Sequence, residues 1–89
     1  GEIETALAAI SSVEEAVCLF DREKDHILCV YAGTEEPAAL ESALLHRLPK
    51  YMLPNEYYRL EEGLPHNSNG KLDRHNLKAR YLNGTGHGI

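Results

Sequence analysis

The sequence predicts a small α+β domain in which three helices flank a three-stranded sheet, in the order α-β-β-α-β-α. Two kinds of pattern indicate this fold class. Apolar residues recur at helical spacing in two regions, and short apolar runs bounded by polar turns indicate strands. A chain of 89 residues also has room for one core, because chains of this size bury roughly 60% of their unfolded surface. We therefore expect a single domain.

The first helix is predicted over residues 2–10, because three apolar side chains recur there at i, i+4 and i+7. These side chains are Ile3, Leu7 and Ile10. A second helix is predicted between Thr34, a suitable N-cap, and Pro49, which stops it. The apolar stripe of this second helix consists of Leu40, Leu44 and Leu48.

Three strands are predicted, and the first two form a hairpin over residues 16–20 and 27–31. Neither run alternates apolar with polar residues, so both faces of the hairpin should be covered. We expect helices on one face and a further surface, such as that of a partner, on the other. A third strand at residues 56–60 should lie parallel to the second after a right-handed crossover, with the first strand in the middle of the sheet.

The last helix is predicted to begin after Asp73, its N-cap, and to reach about Tyr81. Leu72 and Leu77 lie at the N′ and N4 positions, which is the spacing of a hydrophobic staple. Residues 83–89 include three glycines and are expected to form a flexible tail or linker.

Composition narrows the possible functions. Nine Lys and Arg against 14 Asp and Glu give a net charge of −5, which argues against binding to nucleic acid or to an anionic membrane. No apolar run approaches the ~18 residues that a membrane span needs, and the N-terminus has no signal-peptide pattern. We expect a soluble, cytoplasmic domain with neither a nucleic-acid nor a membrane partner.

The two cysteines, Cys18 and Cys29, are too few for a disulfide scaffold and lack the C-x-x-C spacing of metal or redox sites. They are expected to be core thiols. In the predicted hairpin Cys18 lies opposite Cys29, so a cross-strand disulfide is geometrically possible.

Lys71 is the candidate functional residue. Gly70 before it lets the backbone turn sharply, and the staple and the Asp73 cap fix the helix that follows. The lysine charge adds to the positive end of the helix dipole, and together they favour a phosphate or carboxylate nearby. The alternative is an ordinary solvated lysine in a polar turn.

Three segments resemble motifs of adenylate-forming enzymes. Residues 64–74 read L-P-H-N-S-N-G-K-L-D-R and resemble the closing motif L-P-x-x-x-N-G-K-x-D-R of nonribosomal peptide synthetase adenylation domains. Upstream, residues 48–54 read L-P-K-Y-M-L-P and resemble the family pattern L-P-x-Y-M-x-P. Residues 1–4 further resemble the end of the family's hinge motif, so the resemblance extends from the start of the chain to Tyr81.

The resemblance implies that residues 1–82 are the C-terminal lid subdomain of a larger enzyme. The resemblance further implies that Lys71 is the catalytic lysine, acting in the α-phosphate region of ATP, and that Gly70 provides the loop geometry. The large N-terminal domain of the parent chain would bind ATP and Mg²⁺. The acyl-adenylate of an amino acid or a related carboxylic acid would then pass to the phosphopantetheine thiol of a peptidyl carrier protein. The chain alone is expected to be an inactive fragment.

Residues 66–68 depart from the Leu-Thr-Pro that is frequent in the family, and we expect this variation to leave the lysine unaffected. Asp73 and Arg74 are expected to act as a helix cap and as a surface or interface charge. Tyr51 and Met52 are expected to pack at a sharp turn of the chain rather than to contact a ligand.

Two other function classes are compatible with parts of the sequence. A free-standing α+β interaction or regulatory module would use the same fold with no catalytic lysine. A metal-binding domain lacks support, because no two histidines have the i, i+4 spacing of a shared helix face. The histidines, expected at the surface, are His26, His46, His66, His75 and His87.

Overall fold

The computed structural model describes residues 1–82, which form three α-helices, three β-strands and a short 3₁₀ helix. The helices are α1 (Glu2–Ala8), α2 (Pro37–Leu45) and α3 (Arg74–Tyr81), and the 3₁₀ helix is Lys50–Met52. The strands are β1 (Val13–Asp21), β2 (His26–Gly33) and β3 (Glu56–Arg59). This order confirms the predicted fold class. The predicted tail at residues 83–89 lies outside the described residues.

The central strand of the sheet is β2. It pairs antiparallel with β1, where Val30 lies opposite Val17, and parallel with β3, where Val30 lies opposite Tyr58. The parallel arrangement of β2 and β3 was predicted, but the prediction that β1 lies in the middle is wrong. In β2, all residues from Leu28 to Ala32 are buried, whereas β1 also carries exposed residues. A continuous apolar run suits the strand that is covered on both faces and paired on both edges.

Helices of the same chain cover both faces of β2. On one face, α1 and α2 pack around Cys29 and Tyr31, with the fully buried side chains Leu7, Leu40 and Leu44. On the other face, α3 places the fully buried Leu77 against Leu28 and Val30. The expectation that a further surface, such as a partner, covers this second face is therefore wrong. The C-terminal segment after β3 provides the second layer.

Three helix boundaries differ from the predictions, since α2 also ends at Leu45, before Leu48 of the predicted stripe. Helix α1 ends at Ala8, and the next two backbone N–H groups form the tighter i−3 hydrogen bonds of a closing turn. Helix α2 begins at Pro37, with Glu36 rather than Thr34 as its N-cap. A residue that precedes proline is held in an extended conformation, so the helix cannot begin before Pro37.

Gly33 lies at a close approach between β2 and the chain that enters β1. A Cβ atom at this position would lie 2.1 Å from the backbone oxygen of Ser12. The same oxygen accepts a hydrogen bond of 2.9 Å from the N–H of Thr34, and the strand register shifts between Val13 and Glu15. The backbone contact therefore requires glycine.

Replacing Gly33 with alanine should destabilise the fold by about 1–3 kcal/mol, because the added methyl group overlaps backbone atoms that cannot move independently. The free energy of unfolding in urea measures this effect. Thr34→Ala, at the neighbouring exposed position, is the matched control and should change stability by less than about 0.5 kcal/mol. Equal stability of the two variants would contradict the close approach.

Glu4 of α1 connects three elements of the fold. Its Oε2 accepts a hydrogen bond of 2.9 Å from the backbone N–H of Cys18 in β1. Arg74, at the start of α3, donates to both carboxylate oxygens at 3.3 and 3.4 Å. Burial alone raises the pKa of Glu4, but the hydrogen bond from Cys18 and the charge of Arg74 outweigh burial and lower it below its ordinary value of 4.5.

Glu4→Gln should make stability less dependent on pH in the acidic range. Because the folded-state pKa of Glu4 is lowered, the carboxylate stabilises the fold above its ordinary pKa, and this contribution disappears as the pH falls through the folded-state value. The glutamine still offers an oxygen to Cys18 but carries no charge. The measurement is the urea midpoint of wild type and variant between about pH 6 and about pH 3.

Glu2→Gln, an exposed position of the same helix, is the control for removing one acidic charge. Its urea midpoint should follow that of the wild type as the pH falls. The ionic link is not supported if Glu4→Gln loses as much stability on acidification as the wild type does.

Candidate functional site

Lys71 lies in a tight loop between β3 and α3. The loop is closed at its base by an antiparallel bridge between His66 and Leu72. Inside it, the N–H of Asn67 donates to the oxygen of Lys71 at 2.7 Å, and the N–H of Gly70 donates to the oxygen of Asn67 at 2.9 Å. Gly70 has a φ of +81°, a left-handed conformation that glycine adopts at little cost. Gly70 thus lies at the turn of the loop, and its role in presenting the lysine stays a prediction.

The side chain of Asn67 organises the same loop. Its Oδ1 accepts hydrogen bonds from the backbone N–H groups of Asn69 at 2.9 Å and of Lys71 at 3.1 Å. That the departure of residues 66–68 from the family's frequent residues leaves the lysine unaffected stays a prediction, but Asn67 holds the Lys71 backbone directly. The preference of asparagine for such local bonds in turns is the signal that could have identified it.

The loop continues into a well-fixed helix. The Asp73 carboxylate accepts a hydrogen bond of 2.9 Å from the N–H of Asn76, which confirms Asp73 as the N-cap of α3. The N–H of Asp73 donates to the oxygen of Pro65, also at 2.9 Å. Leu72 packs against the core that contains Leu77, as the predicted staple requires.

A contact between His66 and Glu15 joins the base of the loop to β1. The Nε2 atom of His66 lies 2.7 Å from Oε2 of Glu15, and both side chains are about two-fifths exposed. The two residues are 51 positions apart in the sequence, so no local pattern could have predicted the contact. It holds the Lys71 loop to the sheet, in addition to the bridge between His66 and Leu72 and the hydrogen bond from Asp73 to Pro65.

The Lys71 side chain is exposed, and among residues 1–82 no carboxylate lies close enough to form an ion pair with it. Arg74, the next cation, is paired with Glu4. The loop thus presents an ammonium group without an ion pair among the described residues, on the ordered Gly70 turn just before the capped N-terminus of α3. Such an arrangement favours an anion such as a phosphate or carboxylate.

The segment around the 3₁₀ helix is only partly packed. Tyr51 is 85% exposed, so the expectation that it packs at the turn is wrong. Met52, the next residue, is half-buried and borders a cleft with Ile3 and Cys18.

The two tyrosines of β3 lie on opposite faces of the sheet. Tyr58 packs against Tyr81 with ring centroids 4.8 Å apart, and its hydroxyl donates to Glu56. This hydrogen bond raises the pKa of Tyr58 to about 12. The same bond lowers the pKa of Glu56, as does a contact of 2.7 Å between Glu56 and His26. Tyr57 packs on the α1 and α2 side, and burial raises the pKa of its hydroxyl. These contacts are explained by packing within the domain.

The described part of the chain offers neither a metal site nor a membrane span. Within residues 1–82, no three side chains of His, Cys, Asp or Glu come together as metal ligands. None of the helices there has the length and apolar character that crossing a membrane requires.

Comparison with known sequences shows similarity over most of the chain. Residues 2–71 match the family model of the AMP-binding enzyme C-terminal domain. Malpibaldin synthetase of Mortierella alpina is 42% identical over 84 residues, which cover 89% of this chain and 2% of that protein. Bacitracin synthase 1 of Bacillus licheniformis is 37% identical over 82 residues, covering 86% and 2%. The chain thus spans a few per cent of the length of these relatives.

Solved structures show the same fold. Klebsiella oxytoca NpsA, in complex with 3-hydroxyanthranilyl-AMSN, matches with a TM-score of 0.78 and 29% identity, over 88% of this chain and 16% of that chain. Holo-AB3403, a four-domain nonribosomal peptide synthetase bound to AMP and glycine, matches with a TM-score of 0.69 and 35% identity, over 83% and 6%. Sequence and fold agree, and the chain belongs to the AMP-binding enzyme C-terminal domains, the C-terminal subdomain of adenylate-forming enzymes.

Proposed function

We propose that this domain is the lid of an ATP-dependent ligase that activates an amino acid, or a related carboxylic acid, as its acyl-adenylate. The observation that carries the proposal is the exposed Lys71 ammonium group, held on an ordered loop and free of ion pairs within residues 1–82. Membership of the AMP-binding enzyme C-terminal domain family supports this proposal. A related synthetase binds AMP and glycine, which are the two halves of an aminoacyl-adenylate.

The chemistry of adenylation explains why a lysine suits this position. An oxygen of the substrate carboxylate attacks the α-phosphorus of ATP, a new O–P bond forms, and pyrophosphate leaves. Both reacting groups are anionic, so their repulsion opposes the approach. An ammonium group placed between them offsets this repulsion and stabilises the charge that develops on the transferring group. Lys71 acts by its position and charge, without forming a covalent bond.

We assign the binding of ATP and Mg²⁺ mainly to the large N-terminal domain of the parent enzyme. Magnesium prefers carboxylate, phosphate and water oxygens, and residues 1–82 bring no cluster of acidic side chains together for it. What this domain contributes to ATP is the single positive charge of Lys71 in the region of the α-phosphate, presented by the Gly70 turn.

Adenylation is the first of two half-reactions, and the second brings a thiol to the acyl carbonyl. The phosphopantetheine thiol of a peptidyl carrier protein attacks the carbonyl carbon, a thioester forms, and AMP leaves. The lid reorients to admit this thiol, so Lys71 leaves the reacting centre. A defect at Lys71 should therefore affect the first half-reaction far more than the second.

Lys71→Ala in the multidomain parent protein should slow substrate-dependent ATP–pyrophosphate exchange by roughly 10²–10³, by analogy with removal of one oxyanion donor. Thioester formation from supplied acyl-adenylate should be retained. Lys71→Arg should recover only part of the exchange, because the planar guanidinium occupies a different volume from the compact ammonium group.

Lys78→Ala is the matched control, since Lys78 is also exposed and lies on α3. Its exchange rate should be close to that of the wild type. Unchanged exchange in Lys71→Ala, with both variants folded, would contradict the catalytic role and leave Lys71 as a solvated turn residue.

Asn67→Ala should also slow the exchange, because it removes the side-chain acceptor of the Lys71 and Asn69 N–H groups and loosens the loop. A misplaced ammonium group is expected to cost roughly 10–10² in rate, less than its removal. Ser68→Ala, at an exposed position in the same loop, is the control. If the two variants have the same exchange rate, the Asn67 bonds do not position the lysine.

A further inference from the structure

The two cysteines of the chain are direct partners in the β1–β2 hairpin, and both are free thiols. The backbone defines which type of pair they form. The N–H of Cys18 donates to Glu4, so it points away from β2. On β2, the carbonyls of Ile27 and Tyr31 accept hydrogen bonds from the β3 side. These residues lie two positions to either side of Cys29, so the backbone groups of Cys29 also face β3 and not β1. Cys18 and Cys29 are therefore a non-hydrogen-bonded pair.

This pair type brings the side chains closest together. In a non-hydrogen-bonded pair the Cα atoms lie about 4.5 Å apart and both side chains are on the same face of the sheet. A disulfide spans Cα separations of about 4.4–6.8 Å. A bond between the two sulfur atoms is thus compatible with the folded backbone.

The two thiols differ in access and in acidity. Cys29 is fully buried, whereas Cys18 is half-buried and borders the cleft that also contains Met52. The interaction between the adjacent thiols lowers the pKa of Cys18 and raises that of Cys29, which burial raises further. Because the thiolate is the reactive form, an oxidant that enters the cleft meets the more reactive sulfur first.

We propose that Cys18 and Cys29 form an oxidisable pair that closes as a cross-strand disulfide on reaction with hydrogen peroxide. The Cys18 thiol releases its proton, and the thiolate attacks one peroxide oxygen as the O–O bond breaks. A sulfenic acid forms, and the leaving hydroxide takes up the released proton to become water. The Cys29 sulfur then attacks the Cys18 sulfur, the S–O bond breaks, and the hydroxyl group leaves as water with the Cys29 proton. Overall, two thiols lose two electrons and the peroxide becomes two molecules of water.

The bond would fix β1, an edge strand, to β2 at the residue whose N–H binds Glu4. Glu4 also holds Arg74, which follows Lys71 by three residues. A thiol reductant reopens a disulfide, whereas sulfinic and sulfonic acids resist it. This site lies apart from the lysine, so its chemistry does not depend on the proposed adenylation role.

The test treats the folded full chain with hydrogen peroxide, blocks the remaining thiols and digests the product with trypsin without reduction. Trypsin cuts after Arg22 and Lys24, which separates the two cysteines. The expected product links the peptide that ends at Arg22 to the peptide 25–47 and lacks two hydrogen atoms. Reduction should separate the two peptides completely.

The control moves the thiol by two residues along the same face of β1. The double variant Cys18→Ser, Phe20→Cys replaces an exposed side chain and places the thiol diagonal to Cys29, at about 7–8 Å. It should form no link in the time that converts the wild type. The proposal is overturned if the wild type forms only intermolecular links, stops at sulfinic acid or stays reduced, or if the control links as fast.

Discussion

The burial of β2 on both faces determines how the rest of the domain is arranged. A strand that is apolar from Leu28 to Ala32 cannot leave either face in water, so separate layers must cover each side. Helices α1 and α2 cover one side, and α3 covers the other. The chain must therefore pass from β3 to α3 around the sheet, and the loop that carries Lys71 makes this connection. Leu64 and Leu72 hold its two ends in the core.

The Lys71 loop shows how a surface segment can be ordered without being buried. Each hydrogen bond adds only about 1 kcal/mol, but several of them act on the same few residues. Asn67 bonds the backbone on both sides of the turn, Asp73 caps the following helix, and His66 reaches β1. The ammonium group remains in water while its backbone is fixed. The role proposed for Lys71 needs this combination, because ordering the ammonium group only at the moment of reaction would cost conformational entropy.

The sequence by itself determined the features that depend on neighbouring residues. Helical spacing identified the first two helices, and the Asp73 cap and the leucine staple identified the third. The apolar runs identified the hairpin and placed Cys18 opposite Cys29. The motif around Lys71 identified the family. Each of these signals is contained in a few consecutive residues, where periodicity and capping act directly on the backbone.

The tertiary structure alone decided which elements meet. It placed β2 rather than β1 at the centre, covered the second face with α3, and left Tyr51 in water. The contacts of Glu4 with Cys18 and Arg74 join residues 14 and 70 positions apart. Such contacts depend on how whole layers pack around the core. Local sequence patterns determine which segments form helices or strands and which face of each is apolar. Which of these elements pack against one another is decided only in the assembled domain.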